Sequence, residues 1–192
     1  MEMPGLVVEA GKMGLVLQPE QQAQFAVYLQ LLLRWNERMN LTAVRTPAAI
    51  IERHFYDSLT CAILTGDLNG RSLIDVGTGA GFPGLPLKIA FPHLQLTVVE
   101  SVAKKAQFLQ AVTAELGLTT VTILAERAEI LGRQPAHRAR YDWAVARAVA
   151  ELRVLAEYLL PFCRLGGFML AQKGEKAAAE TAAAATTIRQ VG

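Results

Sequence analysis

The sequence predicts an α/β fold in which a parallel sheet, helices on both faces, is entered through an N-terminal helical cap. Three observations lead there. From Ser72 onward, short apolar runs rich in β-formers alternate with helical segments. Ahead of Ser72 the apolar residues recur at helical spacing only. Between the first apolar run and the helix after it stands "DVGTGAGFPG", residues 75–84, with four glycines in ten positions.

The elements follow in order. Pro19 after Gln18 suits a first helical position, and Phe25, Leu29, Leu32 and Met39 continue a helix over 19–39. Thr46-Pro47, a capping residue followed by proline, opens a second helix carrying Ile50, Ile51, Phe55 and Leu59. These helices make a cap over residues 1–70, packed on a core over 71–192. In the core, "SLIDV" (72–76) is the first strand and 83–90 the first helix. "LTVVE" (96–100) is the second strand, and 102–116 is an amphipathic helix stopped by Gly117. "TTVTIL" (119–124) and "YDWAVA" (141–146) are strands three and four. A helix near 152–160 precedes a fifth strand, "GGFMLAQ" (166–172). The alanine-rich run after Lys173 reads as a helix, because alanine is the best helix former.

Composition narrows the function. Apolar residues make up 52% of the 192 and charged residues 19%, enough for a sizeable core without disorder. A net charge of +2 excludes a strongly basic tail-type nucleic-acid binder, though not a local basic face. Cys61 and Cys163 stand far apart in no C-x-x-C pattern, so two reduced, buried thiols are expected and neither a disulfide framework nor a metal site. The N-terminus lacks signal-peptide order, and no apolar run approaches the ~20 residues that span a bilayer. The expectation is a cytoplasmic monomer with no membrane contact.

The glycine-rich turn is where backbone approaches a ligand closely. Gly79, Gly81 and Gly84 satisfy the dinucleotide string G-x-G-x-x-G, but the register differs. The strand ends at Val76, so the turn reads Gly77-x-Gly79-x-Gly81 and follows directly on Asp75. A carboxylate there repels a phosphate and attracts an amine. Glu100, ending strand two, is placed to accept from both hydroxyls of a ribose. This pattern favours S-adenosylmethionine over NAD, which stays as the alternative. Asp75, Gly77, Gly79, Gly81 and Glu100 are the candidate cofactor residues.

The stretch after strand four, "WAVARAVAE", holds no Pro-Pro-aromatic element for an exocyclic amine and no Pro-Cys pair for covalent attack on a pyrimidine. Its distinctive residue is Arg147, in a run of alanines and valines that leaves it without local carboxylate partners. It reads either as an arginine snorkelling from a strand end or as a clamp on a carboxylate or on guanine's O6/N7 edge. A ring nitrogen such as N7 carries a free lone pair and needs placement, not a general base. Arg34, Arg38, Arg45, Arg53 and His54 dot the cap helices, Lys104 and Lys105 open the helix after Glu100, and a further basic run spans 133–147. Together these can ring a pocket mouth and meet phosphates.

"NLTAV" (40–44), "RHFYDSL" (53–59), "DVGTGAGFPGLPLKIAFP" (75–92), "RAE" (127–129), "ARAVAEL" (146–152) and "GG…KG" (166–174) resemble the bacterial RsmG family, also called GidB. The resemblance implies a Rossmann-like methyltransferase that moves a methyl group from S-adenosylmethionine to guanine N7 in 16S ribosomal RNA of the small subunit. It implies cofactor contacts at Gly77, Phe82, Glu100, Ala128, Glu129 and Arg147, with Arg147 the catalytic candidate. Candidate RNA contacts are Arg53, His54, Lys104, Lys105 and Lys173. The resemblance further implies a closing antiparallel strand pair beyond residue 192, so the expected sheet lacks its C-terminal strands. A methyltransferase acting on another RNA or a small molecule, or a non-catalytic ribosome-assembly factor, remains open.

Overall fold

A computed structural model describes residues 3–147, 150–174 and 177–191. The cap holds α1 (Pro4–Lys12), α2 (Pro19–Met39) and α3 (Pro47–Ile50). From α3 the chain runs through a wide π-helical segment (Ile51–Tyr56) into the short α4 (Asp57–Leu59) and α5 (Ala62–Thr65). The core alternates β1 (Ser72–Val76), α6 (Gly84–Ala90), β2 (Gln95–Val99), α7 (Ala103–Glu115) and β3 (Val121–Leu124). It continues through α8 (Ala128–Leu131), β4 (Tyr141–Arg147), α9 (Leu152–Leu159), β5 (Cys163–Gln172) and α10 (Ala177–Val191).

The five strands pair in the order β3-β2-β1-β4-β5, every pairing parallel. Strand order reverses between β1 and β4, and a doubly wound sheet opens its ligand crevice at such a point, outside the carboxyl ends of the strands. The sheet's two faces separate cleanly by parity. Leu73, Leu96, Val98, Val145 and Leu170 pack toward the cap and toward α6 and α7. Ile74, Val76, Val99, Ala144 and Ala146 pack on the other side with Leu155 and Leu159 of α9. Buried residues from all parts of the cap share one cluster with the first face, so cap and sheet enclose a common core.

Helix α2 does more than cover apolar surface. Its Gln21 side chain donates to the carbonyls of Ile89 (2.7 Å) and Ala90 (3.0 Å), and Gln24 donates to that of Leu116 (2.9 Å). Those carbonyls close α6 and follow α7, where helix ends leave acceptors without intrahelical donors. The opening of α2 is itself fixed by Gln21 Oε1, which accepts from the Gln18 backbone N–H at 2.7 Å.

The structure differs from the sequence reading at three places. Helix α1 was not anticipated, and neither was the short α8. Strand β5 begins three residues earlier, at Cys163, because Gly166 takes a left-handed φ of 74° and the pairing with β4 shifts register near Tyr141. Of the two thiols, Cys61 is buried as expected and Cys163 only half-buried; both are free.

Lys88 of α6, 1% exposed, donates to the carbonyls of Pro92 (2.6 Å) and Leu94 (2.7 Å) and to the Thr120 hydroxyl (2.8 Å). All three ammonium protons are used, tying α6 to the starts of β2 and β3. Lys88→Met should cost ~1–3 kcal/mol of unfolding free energy, since two carbonyls and a hydroxyl lose their donor. An unchanged urea midpoint would overturn this account.

Candidate active site

The parity of β1 and β4 decides what faces the crevice. Asp75 shares the cap face with Leu73, and Arg147 shares it with Trp143 and Val145. The glycine turn then runs between them at the switch point.

Two carboxylates hold that turn. Asp75, fully buried, accepts at Oδ2 from the Thr78 hydroxyl (2.6 Å) and the Gly84 backbone N–H (2.8 Å). Glu100, 5% exposed, accepts at Oε2 from Gly79 N–H (3.0 Å) and at Oε1 from Val102 N–H (2.8 Å). From the cap, the Tyr28 hydroxyl donates to the Ala80 carbonyl. At Gly81, with φ of 101°, a Cβ would fall 2.5 Å from both the Tyr28 oxygen and Leu85 Cδ1. Gly79, with φ of 62°, has nothing within 4 Å of its Cβ position. The turn is therefore tight against the cap at Gly81 and open at Gly79.

Arg147 has no carboxylate partner within its own run of alanines and valines, as the sequence indicates. Its partner comes from the cap: Nη1 donates to Asp57 Oδ2 at 2.9 Å, across a sequence separation no local reading spans. Nη1 also reaches the Arg53 carbonyl (3.3 Å), and Nη2 reaches His54 Nδ1 (3.3 Å). The guanidinium carbon sits 4.9 Å from the centre of the Phe82 ring, a cation–π distance, and His54 stacks on the same ring at 4.7 Å. His54 Nδ1 also lies 3.0 Å from the Arg53 carbonyl, and its Nε2 lies 2.7 Å from Thr42 Oγ1, so both ring nitrogens have polar neighbours. Burial, and then the Arg147 charge, lower the His54 pKa to about 4. The imidazole is neutral at physiological pH.

The remaining candidates are distributed around the crevice. Gly77, Ala128 and Glu129 line a cavity of about 190 Å³ at the ends of β1 and β2, with Ser101, Arg127 and Tyr158. Glu129 accepts a hydrogen bond from the Tyr158 hydroxyl, which raises the phenol's pKa. Lys104 and Arg53 are exposed and Lys105 half-buried. Lys173 is turned inward, donating to the Ala150 carbonyl and pairing with Glu180 of α10, both at 2.7 Å. Among the described residues no cluster of His, Cys, Asp and Glu fits a metal ion, and no helix is long and apolar enough to cross a membrane. Tyr28, Asp57, Thr78 and Tyr158 were not singled out from the sequence. Asp57 alone carried a signal, as the acid of "RHFYDSL".

Burial pushes the Asp75 carboxyl up to about 6, against the hydrogen bonds from Thr78 and Gly84 and the Arg147 charge. A folded-state value above the unfolded ~3.9 stabilises the fold below pH ~4, and that contribution is lost as pH rises through about 6. Asp75→Asn removes this titration. Its stability relative to the unaltered protein should rise by up to ~3 kcal/mol between pH ~4 and ~6 and level off above. Chemical denaturation across that range with a constant difference would refute it.

Solved structures similar to this chain share the fold. A SAM dependent methyltransferase from Aquifex aeolicus aligns over 75% of this chain and 82% of its own, with TM-score 0.55 and 17% identity. A SAM-dependent O-methyltransferase from Thermotoga maritima aligns over 83% of this chain and 55% of its own, with TM-score 0.57 and 16% identity. Sequence relatives are much nearer. The ribosomal RNA small subunit methyltransferase G of Roseiflexus sp. (strain RS-1) is 52% identical over 190 residues, 99% of this chain and 81% of that protein. That of Chloroflexus aggregans is 50% identical over 179 residues, 93% of this chain and 75% of that protein. The GidB family model, described as rRNA small subunit methyltransferase G, matches residues 21–191. This chain belongs to the rRNA small subunit methyltransferase G family.

Proposed function

We propose that this family member methylates N7 of a single guanine in 16S ribosomal RNA, with S-adenosylmethionine as donor, as a monomer in the cytoplasm. The observation that carries the reading is the turn itself: a backbone open at Gly79, flanked by the Glu100 carboxylate and followed by the cavity at Gly77, Ala128 and Glu129. Those groups fit a ligand with a ribose diol and an adenine ring and offer no cradle for a pyrophosphate. Asp75 Oδ1, buried without a hydrogen-bond partner among the described residues, adds negative potential beneath the turn, which suits a cationic ligand.

When bound, S-adenosylmethionine supplies an electrophilic methyl group on a sulfonium. The chain's residues place and shield. Each Glu100 oxygen keeps a lone pair beyond its backbone contact, so the carboxylate can accept from the ribose hydroxyls without releasing the turn. Phe82, stacked between Tyr28 and His54, walls the crevice beside Arg147 and limits water. Arg147 is fixed by Asp57, His54 and Phe82, and a pre-positioned guanidinium loses little entropy on meeting substrate. The N7 lone pair needs no base to free it. Exposed Arg53 and Lys104 are positioned to meet RNA phosphates, with Lys105 beside them.

Glu100→Ala should weaken S-adenosylmethionine binding by ~1.5–3 kcal/mol in calorimetry, through loss of charge-assisted hydrogen bonds. Unchanged affinity would remove Glu100 from the cofactor site. With labelled cofactor and small subunits or protein-free 16S RNA, label should fall on one guanine that becomes open to reductive strand scission. Arg147→Ala should lower transfer by ~100-fold or more while the protein stays folded. Label on an exocyclic nitrogen or on cytosine would disprove N7 chemistry.

A further inference from the structure

A second cavity, about 590 Å³, opens beside Arg147 on the side away from the glycine turn's adenine-side cavity. Its walls come from the cap at Asp57, Thr60, Cys61 and Leu64 and from the ends of β4 and β5 at Arg147 and Gln172. The register pairs Arg147 with Gln172, and both point to the cap face. We propose that this cavity receives the acceptor guanine and that Asp57 reads its Watson–Crick edge, with Arg147 beside it on O6. The proposal rests on the function proposed above and assigns the base-recognition residue of that reaction.

The argument is one of donor and acceptor order. Asp57 and Arg147 lie side by side, held by a 2.9 Å hydrogen bond, so the wall offers acceptors next to donors. Guanine presents the complement in sequence: the O6 acceptor, then the N1–H and N2–H donors. Adenine and cytosine place a ring lone pair where Asp57 would need a donor, and uracil offers one N–H between two carbonyls. Only guanine sets two neighbouring donors against a carboxylate.

The capacities on the wall match. Asp57 Oδ2 accepts from Arg147 and retains lone-pair room, while Oδ1 makes no hydrogen bond among the described residues. Arg147 spends three of its N–H groups on Asp57, Arg53 and His54 and has five. Gln172 donates from Nε2 to the Asp57 carbonyl at 2.7 Å, whereas its Oε1 is buried without a partner. A buried amide oxygen left so is costly, and it supplies a further acceptor for an amine. With O6 at Arg147, the adjacent N7 falls on the Phe82 side, toward the glycine turn.

The test compares unaltered protein, Asp57→Asn and Leu64→Trp on 16S RNA ligated with either guanine or inosine at the methylated position. Inosine keeps O6, N1–H and N7 and lacks only the N2 amine. Unaltered protein should lose about 10–100-fold in kcat/KM on inosine RNA, the range for a hydrogen bond to a charged group. Asp57→Asn should lose a similar factor on guanine RNA, bind S-adenosylmethionine normally in calorimetry, and no longer distinguish inosine from guanine. Leu64→Trp alters an exposed side chain on the cavity wall, so it should keep its melting temperature and cofactor affinity while losing transfer. The proposal is overturned if the inosine and Asp57→Asn losses multiply, if cofactor affinity falls as far as transfer in Asp57→Asn, or if Leu64→Trp transfers normally. In each of these cases the methyltransferase reading stands. Unaltered protein that transfers no methyl group to guanine RNA overturns both.

Discussion

The structure depends on two buried carboxylates that hold the glycine turn by its backbone. Glycines make the turn possible, but a chain so rich in them has much conformational entropy to lose on ordering. Asp75 fixes the far end through Gly84 N–H, and Glu100 fixes the middle through Gly79 N–H. Both are strand-end residues, so the turn inherits the rigidity of the sheet. A site placed on rigid elements keeps its geometry when a ligand arrives.

Burial is the main reason that the Asp75 carboxyl titrates high, and the Glu100 charge adds to it. The counter-charge is Arg147, which lowers the same value from the end of β4. It also lowers the pKa of His54, keeping that ring neutral and able to accept. One guanidinium thus offsets the buried Asp75 charge, helps keep His54 neutral and joins the sheet to the cap. Its placement follows from strand parity: one residue earlier on β4, the side chain would face α9 as Ala146 does.

Much of this could be read in the sequence, and the gaps have identifiable causes. β1, α6, β2 and α7 are legible because short apolar runs bounded by glycines admit few alternatives, and the turn beginning at Gly77 follows from the end of β1. Helix α1 contains Gly5 and Gly11, poor helix formers, and is held by burying Leu6 and Ala10 against the cap. The π-helical widening at Ile51–Tyr56 leaves no mark in residue spacing. The start of β5 hid behind Gly166 and Gly167, which read as a boundary. In fact Gly167 passes so near β4 that a Cβ would lie 2.8 Å from the Tyr141 carbonyl. In the site, residues that meet across the fold were the ones missed: Tyr28 on Ala80 and Asp57 on Arg147.

That last class explains why the cap belongs to the site. The sheet supplies strand ends and a turn, in a fold shared with structures whose sequences agree by only 16–17%. The cap supplies Tyr28 behind the turn, His54 and Asp57 around Arg147, and Thr60 and Leu64 on the second cavity wall. The glycine turn is therefore set by the sheet, while the second cavity is walled where this chain's helices lean over the strand ends. The π-helical segment sits at that junction. Its extra residue per turn changes the angular step between Arg53, His54 and Asp57, and two carbonyl and side-chain acceptors from this stretch converge with Asp57 on one guanidinium. Even a regular α-helix, at about 100° per residue, sets side chains three residues apart, such as His54 and Asp57, within about 60° of one another on one face. That shared face, turned toward the end of β4, is what gathers them on Arg147.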